Sequence, residues 1–116
     1  MLSGLSAGRI WLCTQPTDMR CSFDGLSARV RRFLGEDPTS GQWFVFINRR
    51  CTMLKILGFD TGGYWIWSKR LEEGQFALSR GAKELKRELN RTALLALVEG
   101  VDIKILRQRK RYRKAA

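Results

Sequence analysis

The sequence contains no histidine. That removes the usual base for activating a serine or cysteine nucleophile, although a lysine base is still conceivable. It also removes the commonest nitrogen ligand for zinc. Cysteine is scarce: Cys13, Cys21 and Cys51 are an odd number with no Cys-x-x-Cys spacing. A structural zinc centre needs four ligands, so carboxylates would have to complete it, which is rare. Three free thiols in a reducing cytosol is the simpler account, with Cys13 a core residue in an apolar run. Long apolar runs are missing too. The longest, Ala93 to Val98, is far too short to span a bilayer. The opening Met1-Leu2-Ser3-Gly4-Leu5 has no basic region followed by an apolar one, so no signal peptide is read there.

Acidic residues are also few. Eleven Asp and Glu face 22 Lys and Arg, for a net charge of +11. Such an excess points to a nucleic acid or, less often, an anionic membrane surface. The charge is unevenly placed. Seven basic residues and no acid lie between Lys104 and Lys114, which leaves 15 basic against 11 acidic elsewhere, or +4. At 116 residues the chain is one domain, able to bury about two-thirds of its unfolded surface. The division read here is a single domain over 1–103 and a basic tail over 104–116.

Along the chain, residues 1–8 are small and read as an unstructured lead. Arg9 to Thr14 reads as a strand that Pro16 interrupts. Asp18 or Ser22 would cap the next element. Phe23, Leu26, Val30, Phe33 and Leu34 fall at helical spacing, so 23–34 is an amphipathic helix stopped by Gly35, with Arg29, Arg31 and Arg32 on its polar side. Asp37-Pro38-Thr39-Ser40-Gly41 is a turn. Trp43 to Asn48 reads as a strand whose unbroken apolar run, Trp43 to Ile47, suits burial on both faces or a very short exposed edge. Met53 to Phe59 and Tyr64 to Lys69 form a hairpin closed at Thr61-Gly62-Gly63. In the latter strand Tyr64, Ile66 and Ser68 share one face, while Trp65, Trp67 and Lys69 share the other. Gln75 to Leu78 is a candidate fifth strand. Lys83 to Arg91, with Leu85 and Leu89 four apart, reads as helix, and Thr92 to Glu99 as another ending at Gly100. The fold class is therefore α+β: a small, mostly antiparallel sheet of four to five strands packed against two to three helices.

Two basic pairs, Arg49-Arg50 and Lys69-Arg70, lie at strand ends, where guanidinium forks suit phosphate oxygens. The competing account is ordinary solubility charge at turns. Trp43, Phe59, Trp65 and Trp67 are the right residue types to stack unpaired bases, but a domain this small needs its aromatics for its core. The tail residues Arg107, Arg109, Lys110, Arg111, Arg113 and Lys114, with Lys104, suit a DNA backbone. Seven engaged phosphates would give a salt slope near −6. A nuclear-import signal has the same composition. Candidate metal carboxylates are Asp18, Asp24, Asp60, Glu72, Glu84 and Asp102, but they form no evident cluster, and the reading is non-enzymatic without metal or cofactor.

Several separate segments, in order, resemble the small TnpB-type accessory protein of the bacterial insertion sequence sixty-six family, encoded by its second reading frame. They are Arg9-Ile10-Trp11-Leu12, Thr17-Asp18-Met19-Arg20, Ser22-Phe23-Asp24-Gly25-Leu26, Asp37 to Gly41, Phe44-Val45-Phe46, Arg49-Arg50, Leu54 to Leu57, Asp60, Lys69 to Glu72 and Gly74-Gln75-Phe76. The chain departs from that pattern at Cys21, Thr52-Met53, Gly58 and Gln75. A basic residue, an acidic-basic pair, an aromatic and an arginine, respectively, are usual there. The resemblance implies a cytoplasmic, nucleoid-associated accessory factor for transposition that assists a separate transposase and contacts DNA at the element ends, with no membrane. The phosphate-contacting set expected from the sequence is Arg20, Arg49, Arg50, Lys55, Lys69 and Arg70, plus the tail. Arg20 has a structural alternative in pairing with Asp18 or Asp24. The rival readings are a protein-interaction module using the tryptophan face, and a metal-dependent nuclease.

Overall fold

A computed structural model describes residues 8–78 and 83–100. The residue 1–7 lead, the tail from Lys104 and the boundary at 103 lie outside them. Five strands form one sheet: β1 (Ile10–Cys13), β2 (Trp43–Ile47), β3 (Met53–Asp60), β4 (Gly63–Arg70) and β5 (Lys86–Leu89). Their order is β4-β3-β2-β1-β5. Only β1 and β2 are parallel, and the other three pairings are antiparallel. A parallel pair needs a crossover, and the helix α1 (Phe23–Arg29) with the π-helical turn that continues it (Val30–Leu34) supplies it. The second helix, α2 (Arg91–Glu99), follows β5. The α+β sheet-and-helix architecture expected from the sequence is the one observed.

The sheet is buried on both faces, and strand parity divides the core in two. Trp43, Val45 and Ile47 point with Leu54 and Ile56 toward Leu94 and Leu97 of α2. Phe44 and Phe46 point the other way, with Trp11, Cys13 and Leu57, toward Leu26, Val30 and Leu34. This explains the continuous apolar run of β2, in which every residue is buried. The β4 alternation is also as its sequence pattern expects: Trp65 and Trp67 pack on the α2 side, Tyr64 and Ile66 on the α1 side.

Two local features follow from close contacts. Gly58 is directly opposite Trp65, whose indole lies across it, so a Cβ added at Gly58 would fall inside the ring. The indole fills the space over Gly58, and it meets Trp43 edge-on at 5.3 Å. The β3–β4 connection is a two-residue turn with positive φ at both Thr61 (44°) and Gly62 (81°). That is the turn whose twist matches a hairpin.

Three expectations change. The helix read over 23–34 becomes π-helical from Val30 before Gly35 ends it in the left-handed conformation. Gln75 to Leu78 is not a strand; its buried Phe76 plugs the α2-side core instead. The stretch 83–91, read as helix, contains β5. Lys, Arg, Glu and Leu all favour helices locally. The open edge of β1 overrides that preference with a four-residue antiparallel ladder from Ile10↔Leu89 to Cys13↔Lys86. Side chains reinforce the pairing. Arg9 forks onto Glu88 at 2.8 and 3.1 Å, and Arg9 and Lys86 lie over Trp11 at 4.5 and 4.6 Å from the ring centre. Asn90 then caps α2 by accepting from the Ala93 amide at 2.7 Å.

Candidate nucleic-acid interface

Because β1 and β2 run parallel side by side, the chain leaves both at the same end of the sheet. The loop after β1 (14–22) and the turn after β2 (48–52) therefore lie against each other. The Thr17 amide donates to the Ile47 carbonyl at 3.0 Å and joins them.

The turn is built by Asn48. Its Oδ1 accepts from the Thr52 and Met53 amides at 2.9 and 3.0 Å, and its carbonyl accepts from the Cys51 amide at 3.1 Å. Cys51 takes φ 58° to close it. Arg49 and Arg50 occupy the two middle positions, where no ladder directs a side chain inward. Both are exposed, and among the described residues neither guanidinium has an ion-pair partner. From the other side, Gln75 Nε2 donates to the Arg50 carbonyl at 3.0 Å.

The loop is stiffened from within and from below. Arg20 grips the Asp18 carboxylate with its backbone amide at 2.9 Å, its Nε at 3.0 and 3.1 Å and its Nη2 at 2.6 Å. These hydrogen bonds hold the Asp18 carboxyl down from its ordinary 3.8 to about 2. The structural alternative stated for Arg20 is thus the contact present. Lys55, on the α1 face of β3, donates from Nζ to the Met19 and Cys21 carbonyls at 2.7 and 2.8 Å. Between loop and turn is an open cleft of about 530 Å³, lined by Pro16, Thr17, Asp18, Met19, Arg29, Asn48, Arg49 and Arg50.

The expected site residues divide accordingly. Arg49, Arg50 and Arg70 lie at one end of the sheet, since Arg70 is opposite Met53 at the start of β3. Arg70 contacts Glu72 at 3.4 Å in the open. Lys55 and Lys69, expected to contact phosphates, are placed differently from the exposed arginines. Each is half-buried with its ammonium group engaged by main-chain carbonyls, Lys69 by Val98 of α2 at 2.8 Å. Arg107, Arg109, Lys110, Arg111, Arg113 and Lys114 lie outside the described residues. Sequence reasoning did not single out Thr17 and Arg29 for the cleft. Nothing in the local pattern separates Arg29 from Arg31 and Arg32; the loop packed against it does. The aromatic set offers little stacking surface. Trp43 is buried and Trp65 and Trp67 are half-buried against the core. Among the described residues no three Cys, Asp or Glu side chains stand close enough to share a metal ion, and no helix is long and apolar enough to cross a membrane. A second cavity of about 240 Å³ lies beside Trp43 and α2, where Arg9 and Glu88 neutralise each other.

A family model described as IS66 Orf2 like protein matches residues 8–108. The chain belongs to the IS66 Orf2-like family. It is also 41% identical over 68 residues to two proteins of Sinorhizobium fredii, the uncharacterized proteins y4hO and y4jC. Those matches cover 59% of this chain and 59% and 58% of the two relatives, so the chain spans less than two-thirds of the curated relatives it matches. No solved structure matches. The IS66 Orf2-like match takes in every described element, including β5 and α2, which lie beyond the stretch that carries the resemblance in the sequence.

Proposed function

We propose that this protein is an accessory factor for transposition of an insertion sequence, and that it holds DNA by its phosphate backbone while a separate transposase does the chemistry. Membership of the IS66 Orf2-like family supports the transposition role. One observation carries the DNA reading: Arg49 and Arg50 project from a rigid turn, exposed and without a carboxylate partner among the described residues, beside a cleft with a third arginine. Exposed guanidinium groups with no ion pair to break are free to fork onto phosphate oxygens. Arg70 extends the row, and the tail from Lys104 to Lys114 adds sequence-independent affinity. Lys55 and Lys69 support the surface from beneath. The rival docking role for the tryptophans loses much of its surface, because those side chains pack on the α2-side core.

The test is a titration of the full chain against duplex and single-stranded DNA at several salt concentrations, comparing terminal inverted-repeat with random sequence. Binding should weaken linearly in log salt, and removal of residues 104–116 should flatten the slope. No binding to either DNA form at low salt would overturn the reading.

A further inference from the structure

Two residues that line the cleft between the 14–22 loop and the 48–52 turn carry buried polar atoms without partners among the described residues. Thr17 is 2% exposed, and its hydroxyl oxygen has no hydrogen-bond partner among the described residues. The Nε of Arg29 is likewise buried and without a partner. The rest of that guanidinium is held weakly. Its Nη2 reaches the Pro16 carbonyl at 3.3 Å and the Cys13 sulfur at 4.0 Å, and its carbon lies 4.9 Å from the centre of the half-exposed Phe33 ring. Buried polar atoms without partners are costly and rare in native folds. Two of them on residues lining one cleft, with Arg49 and Arg50 on the turn across it, describe a site short of an acceptor.

Asp18, the carboxylate on the cleft, does not fill that need. Both of its oxygens are taken by Arg20. Asn48 cannot serve as a reader of base edges either, because its Oδ1 and Nδ2 hold the turn together. No aromatic lines the cleft, so nothing there stacks a base. What remains is three guanidinium groups and a hydroxyl, which together suit a tetrahedral anion with several oxygens.

We propose that this cleft is a seat for one phosphate group, with Thr17 and Arg29 as its inner ligands and Arg49 and Arg50 as its outer ones. Arg29 turns its fork from Phe33 toward the anion on binding. The identification of that phosphate as one from a DNA backbone rests on the function proposed above. Because the seat touches phosphate and not base, it fixes where a strand lies on the protein without selecting its sequence.

Thr17→Val provides a discriminating test, since it replaces an unbonded buried hydroxyl with a methyl of the same shape. Such a change is expected to leave the thermal midpoint unchanged or raise it. It should nevertheless weaken binding of a fluorescent random-sequence duplex about fivefold to tenfold, and reduce the amide shifts that inorganic phosphate induces around Thr17 and Arg29. Arg29→Lys keeps the charge but loses the planar fork, and it should weaken both by a similar factor. It also covers the case of a poorly folded Thr17→Val. If both variants bind DNA and phosphate as the parent does, the seat is overturned while the DNA reading survives. If inorganic phosphate perturbs the cleft of the parent but not of the variants, and no DNA binds, the seat stands and the DNA reading fails. If neither ligand is bound by the parent, both fail.

Discussion

Arg49-Arg50 and Lys69-Arg70 are both basic pairs at strand ends, and the fold uses them for different things. The first pair sits in a turn whose backbone is fixed by Asn48, so both guanidinium groups stay in solvent. The second pair belongs to a strand, where successive side chains must point to opposite faces. Lys69 is on the α2 face and reaches the Val98 carbonyl near the end of the helix, where a cation also complements the helix dipole. Arg70 stays exposed beside Glu72. A basic dipeptide at a strand end is thus left in solvent or tied to the main chain according to whether it lies in a turn or on a strand with a covered face. Lys55 gives the same lesson on the opposite face of the sheet, where its ammonium group ties down a loop.

Lys55→Met should be the sharpest way to break that contrast. It removes two hydrogen bonds from a charged group and leaves the Met19 and Cys21 carbonyls without that donor. The expected loss is about 2–3 kcal/mol of stability, read as a lower urea midpoint with an unchanged slope. A midpoint equal to the parent's would mean that the tether contributes nothing. DNA affinity measured well below that midpoint should fall much less than for the exposed arginine pair.

Exchanging the roles in DNA binding is the next largest effect. Arg49→Ala with Arg50→Ala should leave stability within about 0.5 kcal/mol, as befits exposed residues without partners. It should weaken duplex binding at least tenfold and reduce the salt slope by about 2, one unit per lost phosphate contact. Arg70→Ala alone should remove at most about one unit. An equal loss from Arg70→Ala and from the double variant would show that the turn has no special place in the interface.

Lys69→Met completes the comparison at a smaller scale. One charge-assisted hydrogen bond is lost at a helix end that water can reach, so about 1 kcal/mol of stability is expected, with little change in DNA affinity. A large loss of affinity at unchanged stability would return Lys69 to the binding surface.

The sheet's middle was legible because its signals are local. The turn at Thr61-Gly62, the alternation in β4 and the unbroken apolar run of β2 each follow from neighbouring residues. The strand β5 was not legible, because its residues Lys86–Leu89 favour helix on their own and become strand only against β1, more than 70 residues earlier in the chain. The candidate site divides in the same way. Arg49 and Arg50 stand out in the sequence as a turn pair. Thr17 and Arg29 join them only because parallel pairing of β1 and β2 brings two distant loops to one end of the sheet, and no local pattern encodes that.

The smallest effect concerns pH, and it separates the walled side of the interface from the open side. The loop facing Arg49-Arg50 is held by the Asp18–Arg20 fork, which keeps the Asp18 carboxyl at about 2 instead of its ordinary 3.8. A carboxyl depressed in the folded state contributes stability that is fully present above its unfolded pKa and lost as pH falls through the folded one. The fork should therefore hold the loop throughout the neutral and mildly acid range and release it only between about 4 and about 2. A carbon-detected titration of the Asp18 carboxyl should show its midpoint near 2, with the Arg20 amide shifting in parallel, because that amide donates to the same carboxylate. Arg20→Ala should move the midpoint back toward 3.8. An Asp18 midpoint already near 3.8 in the parent would mean that the fork does not form in solution, and the wall of the cleft would then rest on Lys55 and the Thr17 amide alone.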